Sequence, residues 1–152
     1  MNISTPIHST FDIERIFDVA PSRVFAAWSA PDLKARWFVG PDGWKLVGRS
    51  LDFRVGGTET LRGAFASGGT SFFTAHYHLI EPASLLVFDY DMYVNDSYLS
   101  VSLVTVHFTP RSAGTSMVFT EQILFLDGED GTNSRRRGWS DHVERLAKVL
   151  QP

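Results

Sequence analysis

The C-terminal stretch of this chain is one amphipathic helix in an otherwise β-patterned sequence, and that imbalance restricts the fold most. Trp139, Val143, Leu146, Ala147 and Leu150 recur at helical spacing as a single apolar stripe, with Glu144 one turn before Lys148 on the wet side. A helix this apolar along one side has to dock, and no second long helix is available to receive it. From Trp44 to Phe125 the pattern is β, so the partner is the concave face of a sheet. Val104, Val106 and Phe108 alternate with Thr105 and His107, and after a turn at Pro110 to Gly114 the strand with Met117, Phe119, Glu121 and Ile123 returns. Half-buried antiparallel strands alternate in this way because successive side chains point to opposite faces.

Earlier segments fit the same plan. Phe11 to Phe17 reads as a first strand. Pro21 and Pro31 each open a short helix, since proline has no N–H to leave unpaired in a first turn. Val24, Phe25 and Trp28 share a face of the first, and Leu33 and Trp37 a side of the second. Leu51, Phe53 and Val55 alternate with Asp52 and Arg54 before a turn at Gly56-Gly57, and Thr58 to Ala66 returns. Phe73, Ala75, Tyr77 and Leu79 are expected on one face of the next strand, and Phe88 and Tyr90 on one face of the strand after it. Asp127-Gly128 and Asp130-Gly131 mark the loop before the long helix, which Thr132, Asn133 or Ser134 would cap. The expected fold is α+β: a curved antiparallel sheet of about seven strands wrapped around a long C-terminal helix, as one domain over residues 1–152.

Bulk properties exclude several classes of function. With 14 Lys and Arg against 17 Asp and Glu the net charge is -3, which argues against a nucleic-acid surface. The one basic run, Arg135-Arg136-Arg137, reads as a solvated helix start. Without cysteine there is no disulfide framework, thiolate nucleophile or cysteine metal site. No membrane span and no secretory signal is visible, so a cytoplasmic location is the expectation. No Gly-x-Ser-x-Gly elbow or phosphate-cradling glycine loop is present, and no cofactor is expected.

Several stretches carry a resemblance: Arg15 to Trp28 (RIFDVAPSRVFAAW), Pro31 to Pro41 (PDLKARWFVGP), Asp52 to Gly57 (DFRVGG) and Tyr77 to Tyr90 (YHLIEPASLLVFDY). Val104 to Phe108 with Gly114-Thr115, and Gly138-Trp139 with Leu146, complete it. In that order the chain resembles the helix-grip fold of the START/Bet v 1-like superfamily. Within it, the chain is similar to the family named for the C-terminal domain of the activator of heat-shock protein 90 ATPase. The resemblance implies a cavity between sheet and long helix. The eukaryotic co-chaperone has a further N-terminal domain that binds the chaperone. No counterpart is expected among these residues, so a chaperone partner is not the leading expectation.

The expected cavity lining is Trp28, Trp37, Phe38, Phe53, Phe73, Tyr77, Phe88, Tyr90, Phe119, Glu121, Trp139 and Val143, suited to a small apolar or aromatic ligand. The 12 Phe residues fit either such a lining or a filled core. Glu121 interrupts an apolar inward set. Facing the cavity it would be a general acid or base, with Tyr77 as a second catalytic candidate; the plainer expectation is that a bulge or the strand end turns it to solvent. Tyr93 is a further hydroxyl for a pocket or a core ring. Ser100 and Ser102 on the face of Val104 and Val106 leave space inside the sheet. Asp52 and Arg54 read as an ion pair or turn anchor. His76 and His78 share a strand face at a spacing metal ligands use, but are expected solvated with no carboxylate in reach; no metal site is expected. His142 is expected at the surface. Three functions stay open: a binding protein for the ligand above, a cyclase- or hydrolase-like enzyme using Glu121 with a tyrosine, and a protein-interaction module or homodimer.

Overall fold

The alternation in the central stretch becomes seven antiparallel strands in the computed structural model, which describes residues 5–151. In chain order they are β1 (Ile7–Phe17), β2 (Lys45–Leu51), β3 (Thr58–Ala64), β4 (Thr70–Glu81), β5 (Leu85–Val94), β6 (Ser97–Arg111) and β7 (Gly114–Phe125), with α1 (Pro21–Ser29) and α2 (Pro31–Trp37) after β1 and α3 (Thr132–Val149) last. The sheet order is β1-β7-β6-β5-β4-β3-β2, so β2 to β7 form a meander and β1 closes beside β7. The first two strands are thus opposite edges, and α1 and α2 carry the chain between them. Among the described residues no helix is long and apolar enough to cross a membrane.

Proline sets the two short helices as the sequence implies. Ala30 serves both: its N–H closes α1 on the Ala26 carbonyl at 2.9 Å, and its carbonyl accepts the Lys34 N–H at 2.9 Å in the first turn of α2. Its extended backbone (φ -84, ψ 121) is what a residue before proline prefers. The cap of α3 is Gly131, not one of the three residues after it. The Asp130 carboxylate takes the Thr132 N–H at 3.1 Å and so occupies the capping role from one position earlier.

One face of the sheet is apolar and buried: Phe73, Ala75 and Tyr77, then Phe88 and Tyr90, Val104, Val106 and Phe108, and Met117, Phe119 and Ile123. The stripe of α3 (Trp139, Val143, Leu146) and α1 residues Val24, Ala27 and Trp28 bury against it. Two strand expectations need correction. Leu79 is exposed, because β4 carries a bulge between Tyr77 and Leu79 that shifts the later residues to the opposite face. Residues Asp52 to Val55 do not continue β2. They form a turn, in which the Asp52 N–H reaches the Thr58 carbonyl at 2.9 Å and the Gly57 N–H the Arg54 carbonyl at 2.8 Å. A Cβ on Gly57 would lie 2.1 Å from the Asp52 carbonyl oxygen, so the turn needs glycine there. Asp52 and Arg54 pair across it at 2.9 Å in solvent, the turn-anchor role read from the sequence.

Glycine also seats Trp44. A Cβ at Gly63 would lie 1.9 Å from its indole and one at Gly40 2.3 Å away, so the ring lies flat between two backbones. Gly63→Ala is expected to push Trp44 aside and destabilise the fold by about 1–3 kcal/mol. Urea unfolding followed by tryptophan fluorescence checks this; an unchanged midpoint would show that the ring relocates without cost.

Candidate functional site

Where the N-terminal half of α3 crosses the sheet, the packing leaves a pocket of about 460 Å³. Phe38, Leu61, Phe73, Tyr90 and Trp139 form its inner wall, Trp44, Met92 and Leu99 its sides, and exposed Pro41, Ser134 and Asp141 its mouth. Helical spacing on α3 brings Arg135, Gly138, Trp139, His142 and Arg145 to this pocket. Trp139 stacks on Phe38 with ring centroids 5.5 Å apart and lies 4.4 Å from the Phe119 ring below. A volume in this range, with aromatic walls and few polar atoms, is the ordinary form of a small-molecule site.

Of the residues expected to line a cavity, Phe38, Phe73, Tyr90 and Trp139 are on the wall. Trp28, Trp37, Phe88, Phe119 and Val143 lie behind it, buried among each other; Trp28 and Trp37 meet edge to face at 4.7 Å. Phe53 is half-buried at the far side, against Phe25 and Tyr77. Tyr93 is on the outer face of the sheet, stacked on Tyr98 at 4.9 Å. The cavity is therefore smaller and nearer the mouth than a fully hollow grip, because the α1 and α2 tryptophans occupy the deeper half.

Glu121 is fully buried, not turned to solvent, since β7 runs without a bulge through that position. Its Oε2 accepts hydrogen bonds from Tyr90 Oη (2.7 Å), Ser102 Oγ (2.8 Å) and Arg135 Nη1 (2.9 Å). Arg135 Nη1 also donates to Tyr90 Oη at 2.9 Å, Nη2 to Ser100 Oγ at 2.7 Å, and Trp139 Nε1 to Tyr90 Oη at 3.1 Å. The space that Ser100 and Ser102 leave inside the sheet thus holds a guanidinium. Burial pushes the Glu121 carboxyl above its usual range, against the pull of Arg135. Among the described residues its Oε1 has no partner, nor has the buried Trp28 Nε1. Glu121 stands behind Tyr90 and Arg135 and meets the pocket only through them.

A second buried polar cluster lies deeper. Lys34 Nζ donates to Glu59 Oε1 at 2.6 Å, and Tyr77 Oη donates to the same oxygen at 2.7 Å. Five aromatic rings, those of Trp28, Trp37, Phe38, Tyr77 and Phe88, stand within 5.0 to 6.0 Å of the ammonium. Burial lowers the Lys34 pKa although Glu59 opposes the shift, and burial with Glu59 beside it raises that of Tyr77. On α2 it is Lys34 and Trp37, with Leu33 at their margin, that turn inward. This cluster holds the α2 helix to β3 and β4 and has no face on the pocket.

His142 is a pocket residue, half-buried beside the Phe38 ring at 4.9 Å. Arg145 Nη2 lies 2.7 Å from its Nδ1, so the ring nitrogen accepts and the imidazole is neutral. Burial, then the Arg145 charge, pushes its pKa down from 6.5 to about 3. A depressed folded pKa gives stability that is complete above the unfolded value and lost as pH falls through the window from 6.5 towards 3. The expected slope there is at most about 1.4 kcal/mol per pH unit. His142→Gln is expected to remove that component from the pH dependence of urea unfolding; superimposable profiles would contradict it. His76 and His78 are exposed as expected, but both face a carboxylate: Asp89 of β5 lies 3.1 and 2.5 Å from them.

Sequence reasoning missed Arg135, Lys34 and Glu59. Arg135 precedes Trp139 by four positions and His142 by seven, so extending the α3 stripe back one turn finds it. Glu59 shares inward parity with Leu61, the anomaly that marked Glu121.

With the geometry in place, the relatives are consistent. Residues 18–151 match the family described as Activator of Hsp90 ATPase homolog 1-like protein, and the chain belongs to that family. Among solved structures it is similar to an uncharacterized protein from Rhizobium leguminosarum, at 38% identity over 96% of each chain with a TM-score of 0.91. A protein from Rhizobium loti is similar at 39% identity, covering 96% of this chain and 99% of its own, with a TM-score of 0.89. An AHSA1-like protein from Aeromonas hydrophila shares the fold at 22% identity and a TM-score of 0.69, over 93% and 92% of the two chains. A search of the curated proteins found no match.

Proposed function

We propose that this protein is a receptor for a small, mainly apolar ligand, held between the concave sheet and the N-terminal half of α3. The observation that carries the reading is the 460 Å³ pocket with Phe38, Phe73, Tyr90 and Trp139 as its inner wall. Every 100 Å² of apolar ligand surface covered there contributes about 2.5 kcal/mol. Binding is favoured over catalysis because Glu121, the buried carboxylate behind Tyr90 and Arg135, has three donors on one oxygen and is not itself on the pocket wall. A thermal-shift screen of aliphatic and aromatic metabolites tests the proposal. Ligands of ten to fifteen heavy atoms are expected to raise the melting temperature in a dose-dependent way. Uniformly flat responses at high ligand concentration would overturn it.

A further inference from the structure

Within the pocket, one group is over-supplied with hydrogen-bond donors. Arg135 presents five N–H bonds. Its Nη1 is spent on Glu121 and Tyr90, and Nη2 donates once, to Ser100. The Nε hydrogen and the second Nη2 hydrogen have no partner among the described residues, although the side chain is only 13% exposed and lines the pocket. The guanidinium plane is already fixed, with Cζ 5.5 Å from the Tyr90 ring and 5.6 Å from that of Phe125, so little rotamer freedom remains to be lost on contact.

Charge around the pocket is divided by depth, with acids at the rim and guanidiniums further in. Arg135 and Arg145 both reach it from α3, and Glu121 is the one buried carboxylate paired with either. Arg145 hydrogen-bonds to the Trp37 and Val39 carbonyls and to neutral His142, all uncharged. Asp127 and Asp141, the two acidic residues that touch the pocket, are exposed at its rim, where Asp141, with Asp42, favours the Arg145 charge without a direct ion pair. Away from that rim the pocket presents two guanidiniums, Arg135 and Arg145, and no carboxylate of its own.

We infer that the pocket takes an amphipathic monocarboxylate, its apolar body against Trp139, Phe38 and Phe73 and its carboxylate on the free edge of Arg135. This rests on the receptor reading above and names the class of ligand. A planar two-oxygen anion matches a pair of parallel N–H donors.

The test is calorimetric titration of the purified protein with matched probes: decanoic acid, decanamide and decyl phosphate for an aliphatic body, naphthoic acid and naphthamide for an aromatic one. The acid of at least one series is expected to bind about tenfold or more tighter than its amide. That preference is expected to vanish in the Glu121→Gln/Arg135→Gln double variant, which leaves no unpaired buried charge. Arg135→Lys keeps a cation against Glu121 and the fold with it, and is expected to lose most of the preference because the fork is gone. Acids and amides of equal affinity would overturn the inference and leave the receptor reading standing. So would tighter binding of decyl phosphate, or an acid preference that survives both variants. No binding by any probe would remove both.

Discussion

Glu59→Ala is expected to lower the unfolding free energy by about 3–5 kcal/mol and the melting temperature by on the order of 10 °C. The side chains of Lys34 and Glu59 are 1% and 3% exposed, so truncating the carboxylate leaves an ammonium buried among five aromatic rings with a phenol as its remaining polar partner. The residual cation–π attraction offsets only part of that cost. Removing both members as Lys34→Met/Glu59→Leu is expected to cost less, about 1–3 kcal/mol, because the ion pair recovers little more than its own desolvation and the remaining penalty is the unpaired Tyr77 hydroxyl. Chemical denaturation of the two variants separates the cases. A single-variant loss below about 1 kcal/mol would show that Lys34 is reached by water or sheds its proton once Glu59 is gone.

Trp139→Ala has an effect of similar size by another route. The ring stacks on Phe38, lies 4.4 Å from Phe119 and donates to Tyr90 Oη. Deletion of a buried tryptophan is expected to cost about 3–5 kcal/mol, the lost transfer energy plus the void left behind. The void adjoins the pocket, so the variant's site is expected to enlarge and to lose affinity for slender ligands. Denaturation gives the first quantity and calorimetry with the naphthoic and decanoic probes the second. A variant that keeps both wild-type stability and wild-type affinity would place the site elsewhere.

The architecture was legible because its signals are local and periodic. Alternation from Val104 to Ile123 fixes the faces of β6 and β7, the two prolines punctuate α1 and α2, and the stripe of α3 requires a sheet to cover it. The departures arise where one residue breaks the period. The β4 bulge reverses Leu79, and the turn at Gly57 ends what alternation through Val55 extends. The site was less legible, for a physical reason. Parity marks Glu59 and Glu121 as inward carboxylates, but only tertiary packing supplies their cations. Lys34 lies 25 residues from Glu59, and Arg135 14 residues from Glu121. A charged residue in an amphipathic pattern reads as solvated until such a partner is seen. Likewise, aromatic residues expected around a cavity divide into a wall and a filler only when helices α1 and α2 are placed.

Native mass spectrometry of the protein with naphthoic and decanoic acids, beside a Leu99→Trp variant whose added indole fills the pocket from its side, addresses the central reading most directly. A one-to-one complex with the parent protein, lost in the folded variant, is the expected result. Absence of any complex, or a complex that the filled variant retains, would contradict the assignment of this pocket as a ligand site.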